Sequence, residues 1–244
     1  MTVSSTIKTL RNVRTHYCSG CGHGIVHKII GEIIDEMRIR ENTVFVAPVG
    51  CAVVAYDYFN LDVSEAAHGR APAVATGIKR SLPDRLVISY QGDGDLLAIG
   101  MTELIHSANR GEKISIVFVN NRIYGMTGGQ MAPTTDVGQK TITSPNGRDE
   151  SEAGAPIDVI SLLSGLNGVK FLARGTVAGV KEIRLTKSFI KKAFETQLDE
   201  KGFSLVEVLS PCPTYWGMTP KDSMGLIKEK IENKTFKPGI YKDI

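Results

Sequence analysis

Apolar residues change their period along this chain, from helical spacing to short unbroken runs and back, and that alternation limits the possible fold more than any other feature. Ile25, Ile29, Ile30, Ile33, Ile34 and Met37 fall on one helical face, and TVFVA at 43–47 then reads as a buried strand ended by Pro48. A helix at 71–82, a strand at 85–90 (RLVISY), a helix at 96–109 and a strand at 114–119 (ISIVFV) continue the pattern. It resumes with strands at 169–173 and 203–209 around a long amphipathic helix at 181–198. Strands separated by helices require a mainly parallel sheet covered on both faces, an α/β three-layer fold with right-handed crossovers. The 244 residues, 42% of them hydrophobic, suffice for such a core, and 1–244 reads as a single domain.

Charge removes other classes. The 29 basic and 26 acidic residues are interspersed, so no basic block marks a nucleic-acid or membrane surface. The N-terminal stretch lacks the apolar run of a signal peptide, and no segment approaches the ~18 unbroken apolar residues of a membrane span. A cytoplasmic location is the expectation, and there four cysteines are metal ligands or core residues rather than disulfides.

The interval 121–156 breaks the periodicity with repeated Gly and Pro, and a loop of this length in a compact domain carries function or disorder. It leaves the carboxyl end of a strand, where open parallel sheets bind ligands. At the end of RLVISY comes Gln91-Gly92-Asp93-Gly94-Asp95, and at the end of ISIVFV come Asn120 and Asn121, with 25 residues between Gly94 and Asn120. Glycines admit backbone amides to a diphosphate, and Asp93 and Asn121 offer hard oxygens to a bridging Mg²⁺. Gly-Asp-Gly alone is also an ordinary turn. A helix-length spacing to Asn-Asn, with both elements leaving strands, matches a thiamine-diphosphate fingerprint.

Cys18 and Cys21 sit in HYCSGCGHG (16–24), Cys51 in the turn PVGC after the first strand, and Cys212 in SPCP within the 210–244 tail. All fall in Gly- or Pro-bounded turns at the ligand edge. Four thiolates suit zinc or a 4Fe-4S cluster, and spacing does not decide between them; inert buried thiols are the remaining alternative.

Taken in order, CSGCGHG, PVGC, AAHGRAPAVATGIK, QGDGD, NNRIYGMTGGQMAPT and SPCPTYWGM resemble the thiamine-binding beta subunit of the 2-oxoacid:ferredoxin oxidoreductases over most of 16–217. The resemblance implies a 4Fe-4S cluster on Cys18, Cys21, Cys51 and Cys212 beside thiamine diphosphate and Mg²⁺. It implies Asp93, Asn121 and the Ile123 carbonyl as Mg²⁺ ligands. Thiamine contacts fall on Val49, Gly50, Cys51, Ala52, His68, Gly92, Gly94, Asp95, Gly125 and Met126, with His68 the candidate catalytic residue. The implied reaction is oxidative decarboxylation of a 2-oxoacid with coenzyme A to acyl-CoA and CO₂. Electrons pass through the cluster, which zinc cannot replace, to an external ferredoxin.

The family's activating glutamate comes from a partner alpha subunit. Glu32 and Glu103 lie in predicted helices and in no motif, so a shared site is expected, with alpha, gamma and ferredoxin-like delta chains. The turn Cys51-Ala52-Val53-Val54-Ala55 offers no cation to a distal carboxylate, which favours a branched-chain substrate such as 2-oxoisovalerate. Arg122 could reach the site, which keeps 2-oxoglutarate and pyruvate open. His23 and His27, at i and i+4, lack the Glu of HExxH and read as solvated or backbone-bonded, with cofactor contact open for His23. Lys187, Lys191 and Lys192 read as a wet helix face, and FKPGIYKDI as a docking tail or a frayed end. A non-redox thiamine decarboxylase or synthase subunit with structural or zinc-binding cysteines, and a non-catalytic scaffold, are the alternative classes.

Overall fold

A computed structural model describes residues 7–244; residues 1–6, and with them the start of the expected 1–244 domain and of the stretch read for a leader, lie outside the described residues. The strands are β1 (Thr43–Ala47), β2 (Asp62–Glu65), β3 (Leu86–Gly92), β4 (Ser115–Asn120), β5 (Val169–Thr176), β6 (Phe203–Leu209) and β7 (Gly239–Asp243). The helices are α1 (His23–Met37), α2 (Ala71–Ser81), α3 (Met101–Arg110), α4 (Glu150–Ala153), α5 (Val159–Ser164), α6 (Val180–Leu198), α7 (Pro213–Trp216) and α8 (Pro220–Glu232). The strands form one sheet in the order β2-β1-β3-β4-β6-β5-β7, parallel from β2 to β5 and antiparallel at β7.

Burial on both faces explains the unbroken apolar runs. Phe45, Ile88, Val117 and Val206 point to one face, where Ile30 and Ile33 of α1 and Ile190 and Phe194 of α6 cover them. Val46, Val87, Ile116 and Leu205 point to the other, under Ala75 of α2, Leu104 of α3 and Leu163 of α5. No helix of the described residues is long and apolar enough to cross a membrane.

Several elements differ from the sequence reading. The helix expected at 96–109 is a π-turn, Asp95–Ile99, followed after Gly100 by α3. β2 is a partly exposed edge strand, so it lacks the apolar run that marks the central strands. With six residues α5 is too short for periodicity; its capping Asp158 carboxylate accepts from the Ser161 amide at 3.0 Å. α8 buries little beyond Ser223 and Ile227, yet Thr219 before Pro220 is a readable start signal. The C-terminal tail pairs antiparallel with β5 as β7.

The long loop is folded without much regular structure. The Arg148 guanidinium, 5% exposed, donates to the carbonyls of Ala132, Pro133, Thr135, Ala153, Gly154 and Ala155. One cation thus ties together six carbonyls of a loop with little regular structure, two of which, Ala132 and Pro133, also accept backbone amides.

A buried charge pair joins the core to this edge. Glu207, 2% exposed on β6, accepts from Arg174 Nε at 2.6 Å and from Asn120 Nδ2 at 2.7 Å. Arg174 also meets Asp158 at 2.8 Å and lies over the Phe236 ring at 5.2 Å. Removing one partner of a buried pair leaves an uncompensated charge. Glu207→Ala is expected to lose about 3–5 kcal/mol in urea unfolding, and Glu207→Gln distinctly less because it keeps an acceptor and the Asn120 contact.

Candidate active site

Because β1, β2, β3, β4 and β6 run parallel, the segments that leave them share one edge: Pro48–Ala52, the His68 turn, Gly92–Asp95, Asn121 and Ser210–Cys212. A cavity of about 110 Å³ opens between them. Val49, Gly50, Cys51, Ala52, His68, Gly92, Asp93, Gly94, Asp95, Asn121, Ile123, Gly125 and Met126 all line it, as do His23, Pro48, Tyr124 and Thr127. A larger groove of about 570 Å³, walled by Lys8, Glu32, Asp35 and Arg38, contains none of the candidate residues.

Asp93 is the electrostatic centre of the cavity. At 3% exposure its carboxylate accepts from the Gly94 amide (2.9 Å), the Ile123 amide (3.1 Å) and the Thr134 hydroxyl (2.7 Å). Burial pushes its pKa up to about 6, against the pull of those hydrogen bonds. No cationic side chain among the described residues pairs with it, so a metal cation is the partner its chemistry accommodates. Asn121 is buried beside it, with Oδ1 accepting from the Ile123 amide at 3.2 Å, and the Ile123 carbonyl accepts no hydrogen bond among the described residues. The donor set fits a hard divalent ion.

Three residues that the sequence does not single out as candidates hold this loop. Thr134 reaches Asp93 from the far end of the loop, Tyr124 O–H donates to the Gly94 carbonyl at 3.5 Å, and Trp216 Nε1 donates to the Asn121 carbonyl at 3.0 Å. A Cβ on Gly94 would lie 2.0 Å from the Tyr124 ring, so that position admits only glycine. Their only sequence signal is membership of NNRIYGMTGGQMAPT and SPCPTYWGM. Arg122 does not reach the cavity. It has left-handed φ of 62° and forms a salt bridge with Asp136, which Lys230 also contacts.

His68 and Asp95 form a separate pair. His68 Nδ1 lies 2.5 Å from Asp95 Oδ1, which also accepts from the Gly69 amide at 2.8 Å, while Gln91 Nε2 donates to Oδ2 at 2.6 Å. Asp95 lines the cavity, but its oxygens are engaged by protein.

The four thiols converge on the same edge. Cys18 is exposed, Cys21 and Cys51 are partly buried and Cys212 is buried, and none is in a disulfide. Burial first, and then Cys21, Cys212 and Cys18 in that order, push the Cys51 thiol up to about 12. Burial, partly offset by the Tyr215 amide, does the same at Cys212 with Cys21 and Cys18 as neighbours. A Cβ on Gly125 would lie 3.1 Å from Cys51 Sγ and 3.7 Å from Cys212 Sγ. Among the described residues no three His, Cys, Asp or Glu side chains close on the point that one metal ion would occupy.

His23 and His27 are neither solvated nor backbone-bonded, because α1 turns them into the core. Both are 3% exposed; His23 Nδ1 is 2.7 Å from Tyr90 Oη, and His27 packs against Phe59 with ring centroids 4.7 Å apart. Burial lowers the pKa of His23 to about 4, so the imidazole facing the cavity is neutral. Lys187 also departs from the wet face, bridging Glu32 (2.8 Å) and Glu36 (2.7 Å) of α1.

The model of the thiamine pyrophosphate enzyme C-terminal TPP-binding domain matches residues 48–208. A ketoisovalerate oxidoreductase subunit VorA of Methanothermobacter thermautotrophicus is 54% identical over 90% of this chain and 46% of its own length, so the chain spans about half of that relative. A 2-oxoglutarate synthase subunit KorB of Methanocaldococcus jannaschii is 39% identical over 87% of this chain and 77% of its own. The solved 2-oxoglutarate:ferredoxin oxidoreductase of Magnetococcus marinus, with 2-oxoglutarate, coenzyme A and succinyl-CoA bound, superposes with a TM-score of 0.81 at 25% identity, over 97% of this chain and 84% of that one. With thiamine-type sheet edge, motif order and relatives in agreement, the chain belongs to the thiamine pyrophosphate-binding beta-subunit family of the 2-oxoacid:ferredoxin oxidoreductases.

Proposed function

We propose that this chain is the thiamine diphosphate-binding subunit of a cytoplasmic 2-oxoacid:ferredoxin oxidoreductase that converts a 2-oxoacid and coenzyme A to acyl-CoA and CO₂ and passes electrons to ferredoxin. The observation that carries the reading is the proximity of the buried Asp93 carboxylate, which no cationic side chain among the described residues pairs, to the thiols of Cys51 and Cys212, which Cys18 and Cys21 join. Asp93, Asn121 and the Ile123 carbonyl would hold Mg²⁺ and, through it, the diphosphate, with Thr134 and Trp216 fixing the geometry. Val49–Ala52, Gly125 and Met126 would form the wall against the thiamine rings. Cys18, Cys21, Cys51 and Cys212 would hold a 4Fe-4S cluster, whose one-electron chemistry zinc cannot supply. Bound thiamine diphosphate and cluster supply carbanion stabilisation and one-electron acceptance. The chain's own part is to anchor the diphosphate, exclude water with Tyr124 and the buried His23, and seat the thiols beside the thiamine wall.

The cavity wall contains no Lys or Arg among the described residues, so a distal substrate carboxylate would find no cation here. Together with the ketoisovalerate relative, this favours a branched-chain 2-oxoacid such as 2-oxoisovalerate. The KorB relative and the Magnetococcus structure favour a second reading, 2-oxoglutarate, with the cation supplied from a partner subunit. No Glu lines the cavity among the described residues either; Glu32 is bound to Lys187 and Glu103 to Arg70. An alpha partner is therefore assigned the carboxylate that activates the aminopyrimidine, within an assembly that also contains gamma and ferredoxin-like delta chains.

Anaerobically purified protein is expected to show a broad visible shoulder and about four irons and four sulfides per chain. Cys18→Ser and Cys212→Ser should each lower that content and abolish ferredoxin reduction while keeping most thiamine diphosphate affinity. Colourless wild-type protein with one zinc would favour the non-redox thiamine reading.

Asp93→Ala removes a charged ligand, whereas Asn121→Asp retains a hard oxygen. Calorimetric titration of thiamine diphosphate with Mg²⁺ should therefore show far weaker binding in the first variant, and equal affinities would remove Asp93 from the ligand set.

The isolated chain, reconstituted with cluster, thiamine diphosphate and Mg²⁺, is expected to reduce viologen with any 2-oxoacid at least about 10²-fold more slowly than the assembly, the scale of a missing proton-transfer group. Adding the alpha partner should restore turnover, fastest with 2-oxoisovalerate; adding ferredoxin alone should not.

A further inference from the structure

The oxygens of Asp95 face protein rather than cavity. Its side chain is 1% exposed against 38% for His68, so a buried carboxylate anchors an imidazole that reaches into open space. Behind Asp95, Gln91 Nε2 donates to Oδ2 at 2.6 Å and Ser89 Oγ donates to Gln91 Oε1 at 2.9 Å, all from β3 and its end. With Gly69 N–H and Gln91 N–H directed at it, this carboxylate is an acceptor, and the ring atom 2.5 Å away must bring the hydrogen. The proton of a neutral His68 is therefore on Nδ1. Nε2 keeps its lone pair and has no partner among the described residues, in a residue that lines the cavity.

We infer that Asp95 is a positioning residue for His68, holding it in the Nδ1–H tautomer so that Nε2 accepts a proton from an O–H or S–H group of the molecule reacting in the cavity. The proton passes to Nε2, the electron pair of the broken bond stays on the oxygen or sulfur, and the imidazolium formed is held by the Asp95 carboxylate. A donor-only environment for Asp95, a tautomer set by it and a free nitrogen on the cavity side are the requirements of an orienting carboxylate and its base. The proton-transfer part rests on the cavity being the thiamine site; the tautomer does not.

Long-range ¹H–¹⁵N correlation on the full chain, labelled at histidine, reads the tautomer directly. Wild-type His68 should show a protonated Nδ1 and a bare Nε2, and Asp95→Ala should shift it toward Nε2–H. An Nε2–H tautomer in the wild type overturns the inference without any variant. In the complete oxidoreductase, Asp95→Ala and His68→Gln should each lower kcat by about 10²-fold or more, with no further loss in the double variant, and Asp95→Ala should keep the thiamine diphosphate affinity of the wild type. Loss of cofactor affinity in Asp95→Ala alone would make Asp95 a cofactor ligand and overturn it. Because the tautomer is read without thiamine diphosphate, it can fail while the cofactor still binds, and it can hold in a chain that binds none.

Discussion

A parallel sheet obliges every strand to begin at the same end, so each crossover returns over a face and each strand releases its chain at one edge. Here that constraint gathers Cys51, His68, Asp93, Asn121 and Cys212, which lie as far apart as 161 residues in sequence, into turns that neighbour one another. The helices supply the condition for it. With α1 and α6 on one face and α2, α3 and α5 on the other, the central strands are dry on both sides and the edge is where polar groups emerge.

Polar groups at that edge are held by networks rather than by solvent. Glu207 inside β6 fixes Asn120 and, through Arg174, ties β5 and the C-terminal segment to the start of the Asn-Asn turn. Asn120 in turn accepts from the Arg122 amide at 3.1 Å, bending the chain so that the Ile123 amide faces Asp93. The left-handed Arg122 is the strained point of that bend, kept by its ion pair with Asp136. A chain of contacts thus runs from the core charge pair through the turn to the Asp93 carboxylate.

The centre of the sheet was legible in the sequence because its strands are buried on both faces, and a run such as ISIVFV is too short for a helix and rich in β-branched residues. At the candidate site, spacing placed Asp93 and Asn121 at strand ends, and the other cavity residues came from the family resemblance. Partly exposed strands such as β2 and β7 carry no continuous apolar run, and a helix of six residues has too few turns for a face to repeat. The π-turn at Asp95–Ile99 is invisible for another reason: its residues Leu96 and Leu97 are buried as a helix would bury them, and periodicity does not report which hydrogen bonds the backbone makes. His23 and His27 escape the sequence reading because polarity suggests exposure. Packed against Tyr17, Tyr90 and Phe59 in stacked, tilted and edge-on pairs, they serve as aromatic core. Asp95 shows the converse limit, since one sequence pattern fits both a cofactor ligand and a residue that holds a histidine.

Gly125 connects the two halves of the edge more closely than any motif could indicate. It lines the cavity, and a side chain there would crowd the thiol of Cys51 and touch that of Cys212. A methyl group 3.1 Å from sulfur would force either the wall of the cavity or the thiols to move. Between the cavity and the thiols of Cys51 and Cys212 stands a single backbone segment without a side chain, and Cys51 both lines the cavity and belongs to the group of thiols. The meeting of Cys51, Gly125 and Cys212 follows from where β1, β4 and β6 end, with a glycine at the one place where bulk would separate the cavity from the thiols.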